Sequence, residues 1–221
     1  MILSAAQNDQ KQNPPPIRAV ILDYGDVISQ PADPAVIARM TAMFRLSEER
    51  FRHLYGSFRL DYDRGTLDAN QYWTRIAQAA GIQLSTSQMA ELRRADVAMW
   101  SRLNPSILRW ADQLRAAGMK TAVLSNMHDD MVQHVHANGD WTKNFDCVTF
   151  SSAIHMAKPD PEIFKHCLKC LNVTPVEALF VDDREINVQA AHALGIRGIV
   201  APSPAHLRAN LQAIGFGPLP E

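Results

Sequence analysis

Cysteine is scarce in this 221-residue chain: Cys147, Cys167 and Cys170 are all there is. Three thiols cannot build the disulfide framework of a small secreted domain, so a reduced, cytoplasmic setting is expected. Cys167 and Cys170 form a C-x-x-C pair, but no second pair completes a zinc site. They read as two thiols on one helix face. Long apolar runs are missing too: nowhere do 18 apolar residues stand together, which predicts no membrane-spanning helix. Charge of one sign is also lacking. With 22 Lys and Arg against 23 Asp and Glu, the net charge of −1 offers no field for nucleic acid or an anionic membrane surface. The N-terminus has no secretory apolar region, and residues 1–16, ending in Pro14-Pro15-Pro16, read as a flexible leader. Three familiar signatures are absent: the G-x-x-x-x-G-K-[ST] loop, a G-x-G-x-x-G after the first apolar run, and the G-x-S-x-G elbow.

What is present is an alternation of strand-like and helix-like segments. Residues 17–22 form a β-branched-rich apolar run that stops at Asp23-Tyr24-Gly25, the pattern of a buried parallel strand followed by a loop. A second run, 120–124, ends at Ser125-Asn126, and a third, 178–181, ends at Asp182-Asp183. Shorter runs cover 147–150 and 198–200. Between them, Asn104-Pro105 opens a helix that Gly118 closes, and Asp160-Pro161-Glu162 opens another reaching Leu171. Residues 187–194 form a third, closed by Gly195.

This order predicts an α/β fold, a doubly wound, Rossmann-like parallel sheet with helices on both faces. Residues 32–102 stand apart, with helical periodicity over 34–44 and 70–80 and no strand-like run. They are too long for an ordinary connection, and predict an all-helical insert after the first strand. The predicted organisation is therefore a leader (1–16), an α/β core (17–31 and 103–221) and a helical cap (32–102).

Ligands of open α/β sheets bind beyond the carboxyl ends of the strands. Asp23, Ser125, Asn126, Asp182 and Asp183 all fall there, and Lys158 lies just before a predicted helix start. Three gathered carboxylates need a cation, and an all-oxygen set suits magnesium. Lys158 and the ion can neutralise a phosphoryl group, Ser125 can donate to one of its oxygens, and an in-line carboxylate can attack phosphorus.

Four segments carry a resemblance. The run 20–28, V-I-L-D-Y-G-D-V-I, resembles the first motif of the haloacid-dehalogenase-like hydrolases. Leu124-Ser125-Asn126 resembles their second, the run 158–164 their third, and Phe180-Val181-Asp182-Asp183 with Asn187 and the run 190–195 their fourth. Order and spacing agree over 17–205. The resemblance implies Asp23 as nucleophile and metal ligand, the Gly25 carbonyl and Asp183 as further ligands, and Asp182 as a ligand directly or through water. It also implies that Ser125 and Lys158 hold the phosphoryl group, that Asn126 helps to bind substrate, and that a mobile cap selects it.

The expected activity is a magnesium-dependent phosphatase acting on a small phosphorylated metabolite, as a monomer or homodimer. One position departs from the pattern. Phosphatases of this family usually carry a second aspartate two residues after the nucleophile, where this chain has Gly25, and Asp26 follows where glycine is usual. Losing a general acid and base typically costs about 10²–10⁴ in rate. Two rival readings remain: a metal-independent dehalogenase using Asp23 against carbon, and a scaffold that binds a phosphorylated ligand with little turnover. Asp26 is expected to be a loop residue that hydrogen-bonds backbone amides, with a substitute acid and base as the alternative. His128 is expected at the surface, with entry into the pocket as its alternative, and the segment 59–65 is expected to be a solvated helix end, the alternative being that its polar and aromatic groups face the active site. Trp73, Trp100 and Trp110 are expected to pack in the core or cap.

Overall fold

The computed structural model describes residues 16–220, so the leader lies outside the described residues except for Pro16. Five parallel strands form one sheet in the order β3-β2-β1-β4-β5. These are β1 (Ala19–Leu22), β2 (Lys120–Ser125), β3 (Cys147–Phe150), β4 (Ala178–Asp182) and β5 (Arg197–Val200). The predicted α/β class and doubly wound sheet are what the structure shows.

Alternation along β1 explains why the whole strand is apolar. Val20 and Leu22 pack on one face with Ile107, Trp110 and Leu114 of α6 (Pro105–Ala116), Met131 and Val135 of α7 (Asp129–Asn138) and Leu207 and Leu211 of α11 (Pro204–Ala213). Ala19 and Ile21 face the other way, onto Ile163, Phe164 and Cys167 of α9 (Pro161–Leu171) and Val188 and Ala191 of α10 (Glu185–Ala193). A strand covered on both faces has no polar side to show. In register, Leu22 pairs with Val123 and Val181, so Asp23, the end of β2 and Asp182 emerge at one level. Chain order reverses between β1 and β4, the crevice where such sheets bind ligands.

Helices α1 (Pro34–Phe44), α2 (Glu48–Ser57), α3 (Arg59–Asp63), α4 (Ala69–Ala80) and α5 (Thr86–Trp100) follow the first loop. They gather round their own apolar cluster, with Met40, Phe44, Phe51, Tyr72, Trp73 and Ile76 at its centre. Asp68 and Ser85 each close a capping box, with Gln71 and Gln88, which sets the starts of α4 and α5. The module leaves and rejoins the sheet through one paired strap. Ser29 bridges Leu103 antiparallel, the Gln30 amide donates to the Arg102 carbonyl at 2.7 Å, and the Asn104 amide to the Ile28 carbonyl at 2.8 Å.

The cysteines correct the expectation of three reduced thiols. Cys147 at the start of β3 and Cys170 in the last turn of α9 are joined by a disulfide, while Cys167 is buried and free. Helix α9 packs beside β3, bringing together residues 23 apart in sequence. One turn of helix therefore separates a core thiol from a bonded one, a distinction that the C-x-x-C spacing does not carry.

Candidate active site

Backbone geometry delivers the first aspartate. The Asp23 amide still bonds the Val181 carbonyl at 2.9 Å, and the chain then makes a single π-turn over Tyr24–Ile28, closed by the Ser29 amide on the Tyr24 carbonyl at 2.7 Å. Asp23 is buried, and its Oδ1 accepts from the Tyr24 amide at 2.6 Å and from Lys158 Nζ at 2.7 Å. Among the described residues no hydrogen bond engages its Oδ2.

Lys158 is 2% exposed, so its charge has to be met inside the protein. Its three ammonium donors reach Asp23 Oδ1 at 2.7 Å, Asp182 Oδ2 at 2.7 Å and the Leu124 carbonyl at 2.9 Å. Burial alone pushes this amine down, but the two carboxylates outweigh it and hold its pKa above the ordinary lysine value. Asp182 is fully buried and takes further bonds from the Arg184 amide at 2.8 Å and from Asn187 Nδ2 at 3.0 and 3.1 Å. Asn126 and Lys158 clamp each other: Asn126 Nδ2 donates to the Lys158 carbonyl and Asn126 Oδ1 accepts the Lys158 amide, both at 2.8 Å. Its amide thus holds the lysine loop rather than standing free for a substrate. The Ser125 hydroxyl is buried, and its one weak contact, with the Asn126 carbonyl at 3.5 Å, leaves its proton available.

Asp23, Asp182 and Asp183 each offer an oxygen, all within 4.8 Å of one another. Burial is the main reason Asp23 is pushed up to about 7; Lys158 pulls it back and Asp182 pushes the same way as burial. Asp183 is raised to about 6, again by burial first and then by the carboxylates of Asp182 and Asp26. A cation relieves this repulsion directly, and an all-oxygen donor set suits magnesium.

Gly25 has φ −62° and ψ 130°, a conformation open to any L-residue, and a Cβ there would stand 4.0 Å from the Trp100 ring. Asp26 carries the strain instead, at φ +56°. For a residue other than glycine this costs roughly 1–2 kcal/mol. Asp26 differs from expectation: its own amide donates to Ser29 Oγ at 3.1 Å, while its half-buried carboxylate takes no hydrogen bond among the described residues.

The helical module closes the far side of a cavity of about 180 Å³ above Asp23, with Tyr55, Arg59, Asp63 and Trp100 in its wall. Segment 59–65 is therefore no solvated helix end. Arg59 Nε donates to both oxygens of Asp63, at 2.9 and 3.1 Å, and Nη1 to both oxygens of Asp96, at 3.0 Å each. The Tyr55 hydroxyl bonds Arg59 and donates to Asp96 at 2.6 Å. His128, expected at the surface, is 1% exposed and stacks on Tyr62 at 4.3 Å. Its Nε2 lies 3.4 Å from Asp96 Oδ2, off the line of a hydrogen bond. Burial lowers its pKa to about 4, against the upward pull of Asp96, so the ring is neutral near pH 7. Trp100 adds its carbonyl as acceptor for the Tyr24 hydroxyl at 2.7 Å, and the Asp63 carbonyl accepts from Ser151 Oγ. Arg59 meets Tyr55 and Asp63 at helical spacing, but the contacts to Asp96, Trp100, His128 and Ser151 join residues far apart in the chain, which spacing does not foretell.

Known proteins resemble this chain over part or most of its length. Mouse acyl-CoA dehydrogenase family member 10 is 36% identical over 117 residues, 51% of this chain and 10% of that protein. The (S)-2-haloacid dehalogenase of Xanthobacter autotrophicus is 32% identical over 115 residues, 52% of this chain and 44% of the relative. The sesquiterpene phosphatase astK of Aspergillus oryzae is 27% identical over 144 residues, 62% and 69% of the two chains. This chain thus spans less than half the length of the first two. A HAD family enzyme from Bacteroides thetaiotaomicron, crystallised with magnesium and inorganic phosphate, superposes with a TM-score of 0.66 at 26% identity, covering 82% of this chain and 92% of that one. Residues 17–195 match the haloacid dehalogenase-like hydrolase family, and the chain belongs to it.

Proposed function

We propose that this hydrolase is a magnesium-dependent phosphatase of small phosphorylated metabolites, working through an aspartyl-phosphate on Asp23. The observation that carries the reading is the meeting of three carboxylates with one buried lysine at the carboxyl end of the sheet. Asp23, Asp183 and the Gly25 carbonyl are the ion's ligands in this reading. Asp182, already engaged by Lys158 and Asn187, orients the lysine and meets the ion at most through water. The ion supplies charge neutralisation for phosphate. Lys158 and Ser125 bind the phosphoryl oxygens, and Asn126 fixes the loop that aims Lys158. The helices over 32–102 act as the cap, walling the cavity on the side away from Asp23.

The dehalogenase reading has a specific observation behind it, the (S)-2-haloacid dehalogenase among the relatives. The acidic triad counts against it, since displacement of halide from carbon by Asp23 has no use for a cation site. A screen of phosphorylated metabolites with magnesium, repeated in chelator and paired with a halide-release assay, separates the two. Phosphate release that stops in chelator is expected. Halide release unaffected by chelator rejects the phosphatase reading.

A further inference from the structure

Gly25 leaves the first loop without the second aspartate of the family pattern, and the cavity holds another carboxylate. In-line displacement places the leaving oxygen, and later the attacking water, on the side of phosphorus away from Asp23. That side is walled by the helical module, which contributes Asp63 from the end of α3. Asp63 is buried, and both its oxygens accept from the single Nε of Arg59, so lone pairs remain for one more partner. We propose that Asp63 is the general acid and base of this enzyme, supplied by the cap in place of the aspartate missing at Gly25. The proposal rests on the phosphatase reading above.

Charge within the cluster singles out Asp63. One guanidinium, Arg59, stands between two carboxylates, Asp63 and Asp96, so one proton makes the group neutral. Asp96 on α5 keeps its charge: burial pushes its pKa up, but Arg59 and the hydrogen bond from the Tyr55 hydroxyl counter it and hold its pKa below the usual carboxylate value. Asp63 is raised to about 6, by burial first, with Arg59 pulling it down, Asp96 pushing it up and Arg184 after β4 pulling it down again. Tyr72 on α4 is protonated, its pKa raised by burial, and neutral His128 completes the titratable neighbourhood. A proton held near pH 6 by a cap carboxylate suits both halves of the reaction.

The steps balance. Asp23 Oδ bonds phosphorus as the ester P–O bond breaks, and the Asp63 proton passes to the departing alkoxide. Water then attacks the aspartyl-phosphate, the P–O bond to Asp23 breaks, and the water proton returns to Asp63.

The test uses p-nitrophenyl phosphate and glycerol 2-phosphate with magnesium, comparing the full chain with Asp63→Asn. Nitrophenolate needs no acid, so Asp63→Asn is expected to release a first, stoichiometric burst of nitrophenolate and then turn over slowly, because water lacks its base. On glycerol 2-phosphate kcat is expected to fall about 10²–10⁴-fold. The wild-type rise of aryl-ester turnover through about pH 6 is expected to flatten in the variant; ionisation of the ester itself is common to both proteins and cancels in their ratio. Adding Gly25→Asp restores a carboxylate where the backbone accepts one, and is expected to recover turnover. Asp63→Glu covers a variant that does not fold, and is expected to keep the pH limb. A folded Asp63→Asn that hydrolyses the alkyl ester within about threefold of wild type, or a glutamate variant with no limb, overturns the proposal. A wild-type protein that releases no phosphate from either ester with magnesium rejects the phosphatase reading, and the proposal falls with it.

Discussion

Lys158 shows how one buried residue ties stability to the reaction. Its ammonium is the counter-charge for both Asp23 and Asp182, so Lys158→Met leaves two buried carboxylates without a cation. Removing one member of a buried pair typically costs about 3–5 kcal/mol. Asp23 is already raised to about 7 with the lysine present, and rises further without it. An acid whose folded pKa lies above its unfolded value takes up a proton on folding, so the variant gains stability as pH falls. Denaturant unfolding is therefore expected to show a loss of about 3–5 kcal/mol at pH 8 and a smaller loss at pH 5.5. An equal loss at both pH values contradicts this account of Lys158. At this scale the sequence was informative where function sits at strand ends: Asp23, Ser125, Lys158, Asp182 and Asp183 stop apolar runs or open helices. It favoured the surface for the segment holding Asp63 and for His128, whose burial comes from the module settling on the core.

Elements were legible where periodicity is strong. The apolar runs became β1 to β5, and the proline and glycine punctuation marked α6, α9 and α10 within a residue or two. What periodicity omits is which element a face meets. Cys170 lies on α9 beside the edge strand β3, and nothing in its spacing from Cys167 foretells a bond to Cys147. In the chain-entropy view, closing a loop of 23 residues stabilises the fold by about 3 kcal/mol. Thiol titration of the protein unfolded under oxidising conditions is expected to find Cys167 alone, and reductant to lower the melting temperature. Three reactive thiols and an unchanged melting curve contradict the link.

Across the whole molecule, the carboxyl end of the sheet and the helical module hold acidic groups that only a cation or a proton can quiet. Among the described residues, no helix is long and apolar enough to cross a membrane. Magnesium that binds only the folded state raises the melting temperature. It competes with protons for Asp23, raised to about 7, and Asp183, raised to about 6. At pH 5.5 both carboxylates are largely protonated and the ion has to displace those protons; at pH 8 they are bare and repel. The magnesium-induced shift is therefore expected to be larger at pH 8 than at pH 5.5. A shift that is equal at both, or larger in acid, contradicts the placing of the ion at these carboxylates.

In the proposed reaction Asp23 carries the phosphoryl group, and an acid quench during turnover of a phosphate ester with magnesium, followed by mass spectrometry of the peptide holding residue 23, reads that adduct. A hydroxylamine-labile phosphoryl adduct is expected on Asp23 in the wild-type chain, with no adduct and no turnover in a folded Asp23→Asn variant. Phosphate release by the Asp23→Asn variant within about tenfold of wild type, with no adduct on either chain, contradicts that role of Asp23.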